Sequence, residues 1–266
     1  FREFAASMQA QALMYANIYF QQGVDYFSDS AEYKPLLHTW SLAVEEQFYL
    51  IFPVLLLALQ RFPRASVFQI LIALTGLSLV ASIVLVDKYP EECFFLLPPR
   101  AWELLAGALL AFNQDRFRVS KRVGEALAAG GLVLVVASML LIDASTVFPG
   151  FAALAPVAGA LAILLGCKDH LPRSAQLLAT RPMVFVGLIS YSLYLWHWPI
   201  FSIAKHLLVE PGLATRIGLI ALSIALATAS WRWIENPFRS GTILRGKRRP
   251  FVFAGLGLVL MLSIAV

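Results

Sequence analysis

Long apolar segments separated by short polar loops make up most of the chain. Each segment is long enough, or nearly so, to cross a hydrocarbon core of about 30 Å as a helix that rises about 1.5 Å per residue. The eight segments cover residues 42–60, 67–86, 99–113, 124–142, 151–166, 183–204, 213–234 and 251–266. The pattern predicts an all-α, polytopic transmembrane helix bundle of about eight spans.

The amino-terminal stretch, residues 4–20, also has helical periodicity, but polar residues such as Gln11 and Asn17 interrupt its apolar positions. We therefore predict an interfacial or re-entrant helix here and not a further span. An acidic loop over residues 21–37 follows it.

Positive charge alternates from loop to loop along the chain. Lys and Arg concentrate at 61–66, 114–123, 167–182 and 235–250, whereas the intervening loops carry Asp and Glu. Basic loops near helix ends remain cytoplasmic, so residues 21–40 are predicted to be extracytoplasmic. The net charge of +5 follows this sidedness and does not indicate a nucleic-acid partner.

Composition agrees with a membrane protein, since 14% of the residues are charged, against about 25% in soluble domains. Cys93 and Cys167 fall on opposite sides of this topology, which argues against a disulfide, and no metal-ligand spacing is present. The first residue is not Met and the last lies within an apolar run. We therefore expect a fragment: a partial transmembrane domain (1–238), a basic cytoplasmic linker (239–250) and a final helix leading outward (251–266).

Two adjacent carboxylates, Glu45 and Glu46, stand in the first two turns of the first apolar segment. A charge at the bilayer centre costs about 2.5–3.5 kcal/mol on insertion scales, so intramembrane acids suggest a functional site. Ser41 and Glu45 share a helical face, and His38 lies two turns before Glu45. A His beside a carboxylate is a plausible acid/base or orienting pair. The alternative is an aromatic interface belt that includes Trp40, with both acids turned to water.

A second polar pair, Arg100 and Glu103, has i, i+3 spacing at a helix start that Pro98 and Pro99 favour. It can serve as a structural ion pair or as part of a functional site.

A third polar group, Ser190, Tyr194 and His197, shares one helical face just before Pro199, which bends a helix. Such a stripe indicates a cavity or a hydrogen-bonded helix seam, although His197 can equally be a packed, satisfied histidine.

Read together, four motifs resemble the integral-membrane acyltransferase family 3, which includes O-acetyltransferases of surface polysaccharides and peptidoglycan. They are PLLHTWSLAVEEQFYL at 35–50, RAWELLAGALLA at 100–111, ISYSLYLWHWPI at 189–200 and WRWIENPFR at 231–239. The third and fourth motifs and the outward final helix are similar to the subgroup with a carboxy-terminal SGNH domain. The family also has earlier helices with an Arg and His motif, whose His is its catalytic candidate, and this sequence lacks them.

The resemblance implies a multi-pass protein of the bacterial inner membrane that uses acetyl-CoA or another acyl-CoA as donor and no metal. Its implied partners are membrane lipid and a glycan or lipid-linked saccharide acceptor. The predicted catalytic residues are His38, Glu45 and Glu46. The predicted substrate-binding residues are Trp40, Ser41, Arg100, Glu103, Ser190, Tyr194 and His197.

Two other classes of function stay open at this point. In a transporter or flippase, the same buried acids would form a proton or substrate path, although no inverted repeat of the kind many transporters show is evident. In a non-catalytic membrane anchor, alanine at His38, Glu45 and Glu103 would leave cellular function intact.

Overall fold

Every regular element of the described chain is helical, so the all-α prediction is confirmed. The computed structural model describes residues 2–23, 29–116, 118–143, 145–208 and 212–241, with the isolated positions 255, 257 and 263. The helices are α1 (Arg2–Ala12), α2 (Ala16–Gln21), α3 (Thr39–Leu59), α4 (Arg64–Leu85), α5 (Pro90–Phe95), α6 (Leu97–Phe112), α7 (Lys121–Leu141), α8 (Leu154–Gly166), α9 (Arg181–Leu207), α10 (Leu213–Ser230) and α11 (Asn236–Arg239). Short 3₁₀ helices cover Asp29–Tyr33, Gln114–Arg116 and Gln176–Ala179.

Within the described ranges, six helical stretches are long and apolar enough to cross a membrane. They are Thr39–Leu59, Arg64–Leu85, Pro90–Phe112, Lys121–Leu141, Arg181–Leu207 and Leu213–Arg239. α8 has only 13 residues, and the predicted linker 239–250 and span 251–266 lie largely outside the described residues. The predicted count of eight spans is therefore not confirmed.

The amino-terminal stretch forms two short helices where one was predicted. α1 has 11 residues and α2 has 6, and between them Met14 has a positive φ of 60°, which no continuous α-helix contains. At about 1.5 Å per residue, neither helix reaches across a core of about 30 Å.

The described helices belong to two compact units. One unit comprises Phe1–Ala43 and Arg181–Val266, and the other comprises Val44–Thr180. Helix α3 begins in the first unit and continues into the second, because the division falls between Ala43 and Val44.

In the second unit, α4 and α6 pack around an apolar cluster that includes Phe48, Leu71 and Leu105. Helices α7 and α8 pack still more closely, through glycines. A Cβ on Gly131 would lie 2.6 Å from the carbonyl oxygen of Gly159, which is closer than any side chain allows. Small residues give membrane helices this close backbone approach.

In the first unit, α9 packs against α10. Pro199 lies inside α9, and a π-helical turn, Trp231–Glu235, follows α10. In a π turn the backbone hydrogen bonds span five residues, whereas in an α-helix they span four. Within this unit the Ser192 hydroxyl of α9 donates a hydrogen bond to Glu235 Oε2 at 2.8 Å.

Large apolar side chains remain exposed along the long helices. Met139, Leu140 and Leu141 at the end of α7 are 77%, 79% and 77% exposed. A soluble protein rarely leaves such contiguous apolar surface uncovered, so these side chains are suited to contact lipid.

Candidate active site

His38 occupies the turn that leads into α3, and its side chain is only 4% exposed. The turn is held by two hydroxyls, since Thr39 Oγ1 donates to the Leu36 carbonyl at 2.7 Å and Ser41 Oγ to the His38 carbonyl at 3.3 Å. Both residues have side chains that compete for local backbone groups, which is why they favour helix starts.

Neither ring nitrogen of His38 has a hydrogen-bond partner of good geometry among the described residues, and the Pro35 backbone supplies at most a weak hydrogen bond. Burial, and secondarily His197, lowers the pKa of His38 to about 4, while the nearby backbone of Pro35 offsets part of that shift. The imidazole is therefore neutral at physiological pH, with a free nitrogen lone pair. Buried polar groups are normally paired, so an unpaired, buried imidazole marks a place where a substrate group or a further side chain can bind.

Helix α9 supplies the polar side chains around this imidazole. The Tyr194 hydroxyl donates to the His38 carbonyl at 2.5 Å and lies 2.6 Å from Ser41 Oγ. Ring centroids of Tyr194 and His197 lie 5.1 Å and 6.0 Å from that of His38. Four residues that the sequence predicted, His38, Ser41, Tyr194 and His197, are thus brought together.

The segment before His38 is also anchored on α9. Trp198 Nε1 donates to the Lys34 carbonyl at 2.9 Å, and its ring centroid lies 6.3 Å from that of His38. The sequence analysis did not select Trp198 or Lys34. The only available signal was the run of aromatic residues beside His197, which equally suits a membrane-interface belt.

An open, largely apolar groove of about 470 Å³ runs between α9 and α10. Ser190, Tyr194 and His197 line it together with Ser223 of α10, so the predicted polar face does meet one cavity. The Ser190 hydroxyl, however, donates to the Gly187 carbonyl at 2.9 Å within its own helix. His197 Nδ1 lies 3.0 Å from the Leu193 carbonyl, which orients the ring and turns Nε2 away from the helix backbone.

Glu45 and Glu46 lie on the part of α3 that belongs to the second unit, and both are half-buried. Glu46 Oε2 has no hydrogen-bond partner among the described residues. Trp40, also predicted for the site, is buried in the first turn of α3, with 6% of its side chain exposed. The catalytic roles of both acids stay predictions.

Arg100 and Glu103 form the predicted ion pair on α6. Arg100 Nε and Nη2 donate to the two carboxylate oxygens at 3.2 Å and 2.9 Å. Arg100 Nη1 also donates to the Phe94 carbonyl at 3.2 Å, and the guanidinium lies 5.7 Å from the ring centroids of Phe94 and Phe148. A bidentate, fully engaged pair of this kind favours the structural interpretation.

Another carboxylate in an apolar helical stretch, Glu235, belongs to the fourth motif and was not among the predicted site residues. The π turn accompanies its hydrogen bond with Ser192, which is 43 residues away in sequence. Within the described ranges, no group of three or more His, Cys, Asp or Glu side chains is arranged to hold a metal ion.

Comparison with known proteins assigns the chain to a family. The family model described as "Acyltransferase domain" matches residues 10–232, which is most of the chain and includes all the residues of the site. The chain therefore belongs to the acyltransferase domain family, which confirms the predicted family, whereas the subgroup with an SGNH domain stays a prediction.

Curated relatives point the same way. O-acetyltransferase OatA of Staphylococcus aureus strain NCTC 8325 is 30% identical over 235 residues, which cover 83% of this chain and 39% of that protein. The protein SACOL0978 of Staphylococcus aureus strain COL is 29% identical over 248 residues, covering 87% of this chain and 41% of that protein. The chain thus spans about two fifths of the length of these relatives. No solved structure matches it significantly.

Proposed function

We propose that this chain is the membrane part of a bacterial O-acyltransferase. It transfers an acyl group, acetyl in the simplest case, from acyl-CoA to a hydroxyl of a cell-surface glycan or lipid-linked saccharide. One observation carries the proposal: the acyltransferase match over residues 10–232 encloses a buried imidazole, His38, that has no side-chain hydrogen-bond partner among the described residues.

The reaction forms a C–O bond and breaks a C–S bond. The acceptor hydroxyl oxygen attacks the thioester carbonyl, the tetrahedral intermediate collapses, and the thiolate of coenzyme A leaves. The hydroxyl proton must pass to a base and finally to the thiolate. A positioned general base contributes about 10²–10⁴-fold to such a step.

His38 is placed for the role of proton acceptor because its imidazole is buried and neutral, although a pKa of about 4 makes it a weaker base than an ordinary histidine. Tyr194 and Ser41 act as positioning residues, since the Tyr194 hydroxyl holds the His38 carbonyl. Glu45, with Glu46 beside it, is the alternative base or a group that orients the acceptor hydroxyl. Arg100 and Glu103 fix the start of α6 and do not contact substrate in this scheme.

The alternating loop charge supports a matching orientation in the bacterial inner membrane. Basic loops are cytoplasmic, where acyl-CoA is found, and residues 21–40 are extracytoplasmic, where a glycan acceptor is found. His38 then lies on the acceptor side, and direct transfer requires the thioester of acyl-CoA to reach it through the helix bundle.

The test uses membranes that contain the complete protein, radiolabelled acetyl-CoA and an acceptor glycan. Label should appear in the glycan as an alkali-labile ester, and Glu45→Gln should reduce its rate of appearance at equal expression, whereas the exposed-site control Glu91→Gln should not. Unchanged activity in Glu45→Gln would remove Glu45 from the site. Passage of substrate across the membrane without esterification would replace the proposal with a transporter.

A further inference from the structure

A separate cavity of about 410 Å³ lies in the first unit, where α1 and α2 meet residues 33–36 and the end of α9. Its volume is typical of small-molecule sites. The walls combine aromatic rings with groups of both charges. They include Phe4, Tyr19, Phe20, Tyr33, Glu3, Lys34 and His206.

The wall formed by Tyr33 is firmly held. His206 Nε2 lies 2.7 Å from the Tyr33 carbonyl oxygen, and the two ring centroids are 5.0 Å apart. Lys205 forms an ion pair with Glu32 and lies 5.2 Å from the centre of the Tyr33 ring. A preformed wall lowers the ordering cost of binding a ligand.

The lining selects among ligand chemistries. The lining includes the acidic residue Glu3 and the basic residue Lys34, so a purely apolar ligand would leave their charges poorly solvated, which is costly, and the acidic residue disfavours a phosphate. A sugar satisfies both parts of the wall. The C–H faces of its ring pack on aromatic rings, and its hydroxyls donate to the carboxylate and accept from the ammonium group.

The cavity is also close in sequence to the proposed reaction site. Lys34, Pro35 and Leu36 line it, and His38 follows two residues later. Residues 35–38 form a turn, and two residues span at most about 7 Å, so a saccharide of a few units can reach from the cavity to His38. The Trp198 hydrogen bond to the Lys34 carbonyl ties this wall to the helix that carries Tyr194.

We propose that this cavity is a saccharide subsite, which binds the sugar unit next to the one that is acylated. The inference rests on the proposed function for its acceptor, but the cavity's sugar binding can be measured without any acyl transfer.

The experiment follows saturation-transfer NMR signals of a β-1,4-linked N-acetylglucosamine tetramer with the purified chain in detergent. Phe4→Leu removes an aromatic wall, and Glu3→Gln removes the charge with little change in shape. Aromatic contacts of about 0.5–1.5 kcal/mol predict about twofold to tenfold weaker binding for Phe4→Leu. The matched controls are Phe62→Leu, at an exposed phenylalanine outside the cavity, and Glu91→Gln.

Equal binding by Phe4→Leu, Glu3→Gln and the controls would overturn the subsite, as would absence of tetramer signals with the unmodified chain. In the complete protein, the same two variants should raise the KM for the glycan acceptor and leave the KM for acetyl-CoA unchanged. Tetramer binding that depends on Phe4, in a protein without transfer activity, would support the subsite while refuting the proposed function.

Discussion

Two buried polar sites, one in each unit, differ in how completely their side chains are paired. In the second unit, both carboxylate oxygens of Glu103 accept from Arg100, which also reaches a backbone carbonyl and two aromatic rings. In the first unit, His38 is more deeply buried, yet neither ring nitrogen has a partner in the described structure. A satisfied pair stabilises a fold, whereas an unsatisfied group retains binding capacity for a reactant. Whether a buried polar residue has a hydrogen-bond partner therefore helps to separate structural residues from candidate reactive ones.

The largest expected effect comes from His38→Ala in the complete protein. If the imidazole accepts the acceptor proton, kcat for acetyl transfer should fall by about 10²–10⁴-fold. Thermal unfolding in detergent should show only the moderate cost of the cavity that the buried ring leaves behind. The control is His170→Ala, at an exposed histidine. A loss of folding in place of a loss of kcat would assign His38 to the structural class.

The opposite result is expected for Arg100→Ala. This change leaves the partly buried Glu103 carboxylate uncompensated, so the free energy of unfolding should fall by about 3 kcal/mol. The double variant Arg100→Met with Glu103→Leu should recover most of this loss, because it removes both charges together. Denaturation in detergent monitored by circular dichroism measures the difference. Failure of the double variant to recover would show that the pair does more than stabilise the helix.

A smaller effect is expected for Tyr194→Phe, which keeps the ring and removes the hydroxyl that contacts His38 and Ser41. Loss of hydrogen bonds worth about 1–1.5 kcal/mol predicts about a tenfold fall in kcat. The matched control is Tyr191→Phe on the exposed side of α9. An equal change in both variants would argue against a positioning role for Tyr194.

A last effect, of a different kind, is expected in the pH dependence of stability. His38 has its pKa lowered to about 4 when folded, against about 6.5 when unfolded. Between these values the unfolded chain binds the extra proton, so the stabilising contribution is complete above about pH 6.5 and declines as pH falls toward 4. His38→Asn should therefore lose less stability than the unmodified chain between pH 7 and pH 5. If the melting temperatures of the two proteins changed by the same amount between pH 7 and pH 5, the burial of a neutral imidazole at His38 would be contradicted.

The pattern of apolar and polar residues was sufficient to predict the long helices and the side chains that lie next to each other on one helix. The predicted span 67–86 became Arg64–Leu85, and 183–204 became Arg181–Leu207, because apolar length determines where a helix can cross a membrane. The Arg100–Glu103 pair was equally predictable, since i, i+3 spacing alone brings the side chains together.

Contacts between distant parts of the chain could not be predicted in this way. Trp198 and Lys34 are 164 residues apart, and Ser192 and Glu235 are 43 apart. No periodicity relates such positions, because their contact depends on how separate helices pack. The break at Met14 was missed for a different reason: the flanking residues continue a helical pattern, and only the backbone angle reveals the interruption.

Trp198 lies close enough to His38 for its fluorescence to respond to the protonation of this histidine. An imidazolium ring quenches indole fluorescence by accepting an electron from the excited ring, and a neutral imidazole quenches far less. The ring centroids of Trp198 and His38 lie 6.3 Å apart. The difference in fluorescence between the unmodified protein and Trp198→Phe therefore gives the emission of Trp198, the tryptophan beside this histidine. Proton uptake by His38 during turnover should then appear as transient dimming, so the timing of the proton step can be recorded without a label.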